Sequence, residues 1–242
     1  METLCALGAS MNIYVSERHT FGTDAVLLSH FAAPKREEQV VDLCTGCGII
    51  PFLWCLERPP VVIHAVDIQS DAAALAEKSA AHNAADSFFH VHHADLKNLD
   101  GILPAGAFDL VTCNPPYGLA DSGRKSPEES RRTARHEEQC TIGEVAESAA
   151  RLLRFGGRLC LCHRPERLPD VMEALRAAKL EPKILRLCAQ RPGEKPFLFL
   201  LSARRGGRPF LEVRPTLYIE DHHGQRTEEI KEIYGQYGEG IG

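Results

Sequence analysis

The sequence of 242 residues predicts an α/β protein built on a seven-stranded, mostly parallel, doubly wound sheet. Three observations predict it. Short apolar runs rich in β-branched residues alternate with amphipathic or alanine-rich stretches of helical length, the pattern of strand–helix–strand units. The first such strand ends in an acid followed by a glycine turn, Asp42-Leu-Cys-Thr-Gly-Cys-Gly48. The final two strands are joined by Pro192-Gly193-Glu194-Lys195, too short for a parallel crossover, so the last strand runs antiparallel.

The elements follow in order. Residues 1–20 are mixed and read as extended. Thr23 or Asp24 caps a short helix over Ala25–Phe31, and Pro34 closes it. Val40–Leu43 is a buried strand, with an apolar helix from about 48 to 57 after its glycine turn. Val61–Val66 is the second strand, and Ser70 or Asp71 caps an alanine-rich helix to about 83. Strands follow at 88–93 and 107–113. A helix over 140–154 stops at Gly156-Gly157, a strand covers Arg158–Cys162, and a helix spans 167–178. Strands at 183–190 and 196–203 complete the sheet. Residues 118–138 are polar and strandless, a length that marks a functional loop or disorder. The tail offers one more apolar stretch, Leu217-Tyr218-Ile219, and a helix at 227–235. The expected organisation is an N-terminal extension at 1–38, a core at 39–204 and a C-terminal extension at 205–242.

Composition bounds the function. With 44% hydrophobic and 25% charged residues the chain has the makings of a full core. A net charge of −5 excludes a binder that holds nucleic acid by overall charge, so such a partner needs a local basic patch. Nine cysteines, an odd number, and no visible signal peptide predict reduced thiols and a cytoplasmic setting. No apolar run approaches the roughly 18–20 residues that span a bilayer.

The most specific chemistry sits at the end of the fourth strand, in Asn114-Pro115-Pro116-Tyr117. Pro115 keeps Asn114 out of the helical region, and neither proline donates an N–H. The result is a stiff spur offering an amide, bare carbonyls and an aromatic ring. Such a spur holds a planar amino group: acceptors take its protons while the ring stacks on the attached base or amide. Asp42, Gly46 and Gly48, with Asp67 ending the second strand and Asp95 following the third, form a nucleoside cradle along the same edge. Asp67 suits ribose hydroxyls and Asp95 an adenine amino group. The glycine turn alone marks a nucleotide site no better than evenly, and Cys44 stands where a dinucleotide fingerprint has its first glycine. Cys44 and Cys47, Cys160 and Cys162, and the cluster His90, His92, His93 read as packing or exposed imidazoles rather than redox or metal sites, so no metal is expected. Arg124, Lys125, Arg131, Arg132 and Arg135, with Arg204, Arg205 and Arg208 near the last strands, form either a nucleic-acid grip or a solvated surface.

Together these motifs resemble the series of class I S-adenosylmethionine-dependent methyltransferases, whose Rossmann-like fold is the architecture expected above. Phe21-Gly-Thr-Asp-Ala-Val-Leu-Leu28 adds specificity: it resembles the tRNA adenine-N6 methyltransferases that modify the adenosine beside the anticodon of a valine tRNA. Arg135-His136-Glu137, Gly156-Gly157, His163-Arg-Pro-Glu-Arg167, Arg226-Thr-Glu-Glu and Ile233-Tyr-Gly235 also fit the bacterial branch. The resemblance implies S-adenosyl-L-methionine as cofactor and the anticodon-loop region of a tRNA as partner. It implies that Asp42, Gly46 and Gly48 surround the methionine moiety, that Asp67 holds the ribose, and that Asp95 and Leu96 face the adenine. Thr23 then lies near the cofactor carboxylate. Asn114 and the Pro115 carbonyl hold the target amino group, and Tyr117 stacks on the base. The spur also occurs in enzymes methylating glutamine side chains or guanine amino groups. Those readings stay open, as does a non-catalytic nucleotide- or RNA-binding module. The glutamine enzymes carry a helical domain ahead of the core, for which about 38 residues leave no room.

Overall fold

The structure, a computed structural model, describes residues 1–8, 10–56, 59–116 and 140–235. It opens with a hairpin of β1 (Glu2–Leu7) and β2 (Met11–Ser16). Then come α1 (Thr23–Ala32), β3 (Gln39–Leu43), α2 (Ile49–Cys55), β4 (Val62–Asp67), α3 (Ser70–His82), β5 (Phe89–His93) and β6 (Phe108–Cys113). After them lie α4 (Ile142–Leu152), β7 (Leu153–His163), α5 (Leu168–Ala177), β8 (Leu180–Ala189), β9 (Leu198–Arg205), β10 (Glu212–Tyr218) and α6 (Glu228–Gly235). Among the described residues no helix is long and apolar enough to cross a membrane.

The main sheet has the order β10-β8-β9-β7-β6-β3-β4-β5. It is mostly parallel, with β9 antiparallel to both β7 and β8, as the short turn before it predicts. Eight strands replace the expected seven. The eighth, β10, comes from the tail and pairs parallel with β8 at the sheet edge. Its first four residues are exposed, and its register shifts between Arg214 and Leu217, across Pro215. An edge strand bulged at a proline carries little apolar alternation, which is why only Leu217-Tyr218-Ile219 stood out.

Two apolar layers sandwich the sheet. One joins the hairpin, α1, α2, α3 and α6 through residues such as Leu28, Phe52, Leu75 and Ile230. The other joins α4 and α5 to Leu43, Val111, Leu159 and Phe199. The hairpin, expected only as extended chain, is stapled to α3: Tyr14 N–H donates to Ser79 Oγ at 2.8 Å, and Asn83 Nδ2 donates to the Asn12 carbonyl at 2.6 Å.

Helix caps and stops differ from those the sequence predicts. The N-caps of α1 and α3 are Gly22 and Gln69, without side-chain caps; Thr23 and Ser70 already stand inside the first turn. A capping box does start α4, where Thr141 Oγ1 accepts from the Glu144 N–H and Glu144 Oε2 accepts from the Thr141 N–H at 2.7 Å. Gly156-Gly157 does not end that helix. The chain passes straight into β7, and both glycines lie in a bulge opposite Phe108 and Leu110. A Cβ on Gly157 would stand 2.9 Å from the Phe108 carbonyl oxygen, so the pair marks close backbone approach.

Candidate active site

The parallel strands end nearly level. Leu43 pairs with Val66 and Cys113, Asp67 with His93, and Cys113 with Leu161. Every residue just beyond these ends therefore faces one shared edge. A cleft of about 350 Å³ opens there, lined by Gly46, Asp67, Asp95, Leu96, Asn114 and Pro116 among others. That volume lies within the usual range for a small-ligand site.

The glycine turn is built for approach. Cys44 adopts φ +57°, the left-handed region that glycine favours, at the position where a glycine was missing from the fingerprint. Gly46 has φ +58°, and a Cβ there would meet no atom within 4 Å, so its backbone lies open to a ligand. Gly48 serves packing instead: at φ +83°, its Cβ would stand 3.0 Å from the Phe52 ring. Asp67 ties the turn to β4. Its Oδ2 accepts from the Gly46 N–H at 2.8 Å and its Oδ1 from the Gln69 N–H at 2.9 Å. Each oxygen keeps a lone pair for a diol in the cleft. Asp95 accepts from the Lys97 N–H at 3.0 Å, and the Leu96 carbonyl is held by Ser148 Oγ at 2.9 Å.

Asn114 follows β6 directly, half-buried at the cleft wall. Because Cys113 pairs with Leu161, the next residue on β7, Cys162, comes alongside it. Cys162 Sγ donates to Asn114 Oδ1 at 3.2 Å. Behind this wall lies a second hollow of about 290 Å³, lined by Pro115, Pro116, Cys140, Thr141, Ile142, His163 and Arg167. Pro116 borders both spaces.

The sequence model of the methyltransferase small domain matches residues 6–176. The chain belongs to the methyltransferase small domain family. A tRNA1(Val) (adenine(37)-N6)-methyltransferase of Parabacteroides distasonis is 28% identical over 83% of this chain and 84% of its own length. Further relatives of that name are matched over 55–60% of their own length. A ribosomal protein uL3 glutamine methyltransferase of Bordetella pertussis is 35% identical, over 40% of this chain and 32% of its own. Among solved structures, one described as a predicted O-methyltransferase from Agrobacterium tumefaciens superposes with a TM-score of 0.73 at 21% identity, covering 89% of this chain and 97% of that one. That likeness supports the Rossmann-like fold.

As a methyltransferase small domain, the chain gathers most of those expected site residues that the structure describes and displaces some. Gly46, Asp67, Asp95, Leu96 and Asn114 meet in the cleft, and Pro115 faces the hollow beside it. Asp42 is fully buried beneath the turn rather than in the cleft, with Oδ1 accepting from the Thr112 hydroxyl at 2.5 Å. Asp42 Oδ2 and Thr45 Oγ1 are buried without a hydrogen-bond partner among the described residues. Thr23 is not among the described residues lining the cleft; at the start of α1, its hydroxyl accepts from the Tyr234 hydroxyl at 3.4 Å. Arg204 lies at the opposite end of the sheet, because β9 runs antiparallel and pairs Arg204 with Arg158 while Phe199 pairs with His163. Arg205, beside it, donates to the Leu153 carbonyl. These arginines, with Arg208 beyond them, do not join the site. Tyr117, Arg124, Lys125, Arg131, Arg132 and Arg135 lie outside the described residues.

Two of the three clustered histidines, His90 and His92, are partly buried. His64 Nδ1 and His92 Nε2 share a hydrogen bond at 2.8 Å, and burial pushes His64 down to about 4. His90 is half-buried and His93 exposed. All nine thiols are free, and burial pushes Cys47 up to about 12.

Cys162 is the contributor that sequence reasoning passed over as packing; only the β6–β7 register reveals it. Its thiol donates to the Asn114 amide oxygen at the cleft wall. Losing one such bond costs about 1 kcal/mol, roughly fivefold in rate. Cys162→Ala is expected to lower kcat several-fold with KM for cofactor unchanged, and Cys162→Ser to restore most of it. Equal kcat in the alanine variant would remove Cys162 from the site.

Proposed function

We propose that the protein transfers the methyl group of S-adenosyl-L-methionine to the exocyclic N6 amino group of an adenine in the anticodon-loop region of a tRNA. The observation that carries this reading is the position of Asn114 in the same cleft as Gly46, Asp67 and Asp95. The cleft fits such a cofactor: an open glycine backbone, a carboxylate with free lone pairs for ribose hydroxyls, and an apolar Leu96 beside Asp95 for a base. The cofactor supplies a methyl group already activated on a sulfonium.

What remains for the chain is the nucleophile. The lone pair of an aromatic amine is delocalised into its ring. Asn114 Oδ1 accepts one amino proton, and the Pro115 carbonyl accepts the other. Together they favour a pyramidal nitrogen whose lone pair faces the cleft. Positive charge grows on that nitrogen in the transition state, so the two acceptors stabilise it more than the ground state. No strong base is needed, because the proton becomes acidic once the methyl has arrived. The target base enters the hollow behind Pro116, unstacked from its loop more easily than from a duplex. Tyr117 offsets part of that cost by stacking, at about 1–3 kcal/mol. The loop arginines and Lys125 grip the phosphates in this acidic protein, in a cytoplasmic setting that keeps the thiols reduced.

The test is incubation with methyl-labelled cofactor and tRNA from cells lacking this protein, followed by digestion to nucleosides. Label is expected in N6-methyladenosine. Label in guanine, or only in a protein glutamine when ribosomal proteins are offered, would replace the substrate while keeping the cofactor chemistry.

A further inference from the structure

No residue of α1, whose N-terminus is the expected partner for the cofactor's carboxylate, is among the described residues lining the cleft. Thr23 is tied to Tyr234, and the Ala25 N–H is taken by the Gly22 carbonyl at 3.2 Å. Among the described residues lining the cleft, two carry carboxylates, Asp67 and Asp95, and Arg18 alone carries a positive charge. Lys97, the nearby cation, lies between Asp95 at 3.5 Å and Glu144 at 3.6 Å. Among the described residues lining the cleft, Arg18 therefore offers an entering amino-acid carboxylate its cationic partner, away from Asp67 and Asp95.

Arg18 is also held for the purpose. It sits in a tight turn closed at both ends, with the Ser16 N–H donating to the His19 carbonyl at 3.1 Å and the reverse bond at 3.2 Å. The next residue, His19, is buried with Nε2 3.0 Å from Asp71 Oδ2. The turn leaves the Arg18 guanidinium 68% exposed at the cleft, with Asp71 as a loose partner at 3.6 Å. Contact at 3.6 Å with an exposed carboxylate is weak and easily exchanged for a better-placed anion.

We propose that Arg18, carried to the cleft by the Ser16–His19 turn, binds the amino-acid carboxylate of the cofactor, so that cofactor and its spent product are recognised at both ends. This rests on the cofactor reading above and names the residue that completes it. The neighbouring Thr20, which also lines the cleft, adds a hydroxyl on the same segment.

Calorimetry with two ligands separates the ends. S-adenosyl-L-homocysteine keeps the amino-acid portion, whereas 5′-methylthioadenosine keeps only the nucleoside and its thioether. Arg18→Gln is expected to weaken the first about tenfold, as loss of a partly exposed charge-assisted contact does, and the second less than twofold. Arg18→Lys should recover part of the loss. Thermal melts of both variants should match the parent, since the side chain is mostly exposed. Equal weakening of both ligands would move Arg18 to the nucleoside, and no weakening would remove it from the site; either result overturns the assignment. A parent protein that binds neither ligand would bring down the cofactor reading itself, and this assignment with it.

Discussion

Asn114→Ala is expected to lower methyl transfer by about 10²–10³-fold while cofactor affinity stays within a few fold. Removing a single preorganised group that meets developing charge typically costs a few kcal/mol in the transition state. In the proposed reading Asp67 and the Gly46 backbone, not this amide, hold the cofactor's nucleoside. The effect should therefore fall on kcat. Asn114→Asp keeps an acceptor at the same place and should retain more turnover than alanine. Single-turnover kinetics with labelled cofactor, alongside calorimetry for binding, reads both quantities. Turnover within tenfold of the parent in the alanine variant would defeat the proposal that this amide prepares the nucleophile.

Asp42→Asn is expected to stabilise the protein at neutral and alkaline pH. Full burial pushes the Asp42 carboxyl from its usual 3.8 to about 7. The charge of Asp67 adds to the rise, while the hydroxyl of Thr112 pulls against it. The sign follows from proton counting. Below pH 4 the carboxyl is protonated folded or unfolded, and pH has no leverage through it. Between about 4 and 7 the unfolded chain releases the proton and the folded protein keeps it, so stability falls as pH rises. Above 7 the loss is complete, at about 4 kcal/mol for a shift of this size. Asparagine has no proton to lose and still accepts from Thr112. Urea unfolding from pH 4.5 to 8.5 should show the variant's advantage growing to pH 7 and then levelling. A variant less stable than the parent at pH 8 would mean that the buried carboxyl is not under this strain.

Asp42 also shows why part of the site was illegible in the sequence. Its place at the end of β3 follows from the alternation of apolar runs, and the acid-then-glycine pattern marks a ligand edge. Whether its carboxylate reaches the cleft or lies beneath the turn depends on side-chain direction at one residue. Asp67, one strand over, lines the cleft instead. The two glycines of the turn likewise looked alike, yet Gly46 is open to the cleft and Gly48 makes room for Phe52. Gly156-Gly157 read as a helix stop because a left-handed residue after a helix usually is one; a wide bulge uses the same conformation. Arg204, Arg205 and Arg208 seemed close to the site by their distance along the chain. The antiparallel course of β9 carries them to the far edge.

By itself the sequence determined the alternating α/β order, the antiparallel ninth strand and the rigid Asn-Pro-Pro wall. These rest on short-range physics: hydrophobic period, the reach of a short turn, and the fixed φ of proline. Tertiary structure alone decided that Cys162 meets Asn114, that Arg18 and not Thr23 borders the cleft, and that the tail adds an eighth strand. Each of those depends on strand register or on the docking of a distant segment, and pairings between residues far apart in the chain leave no periodic trace along it.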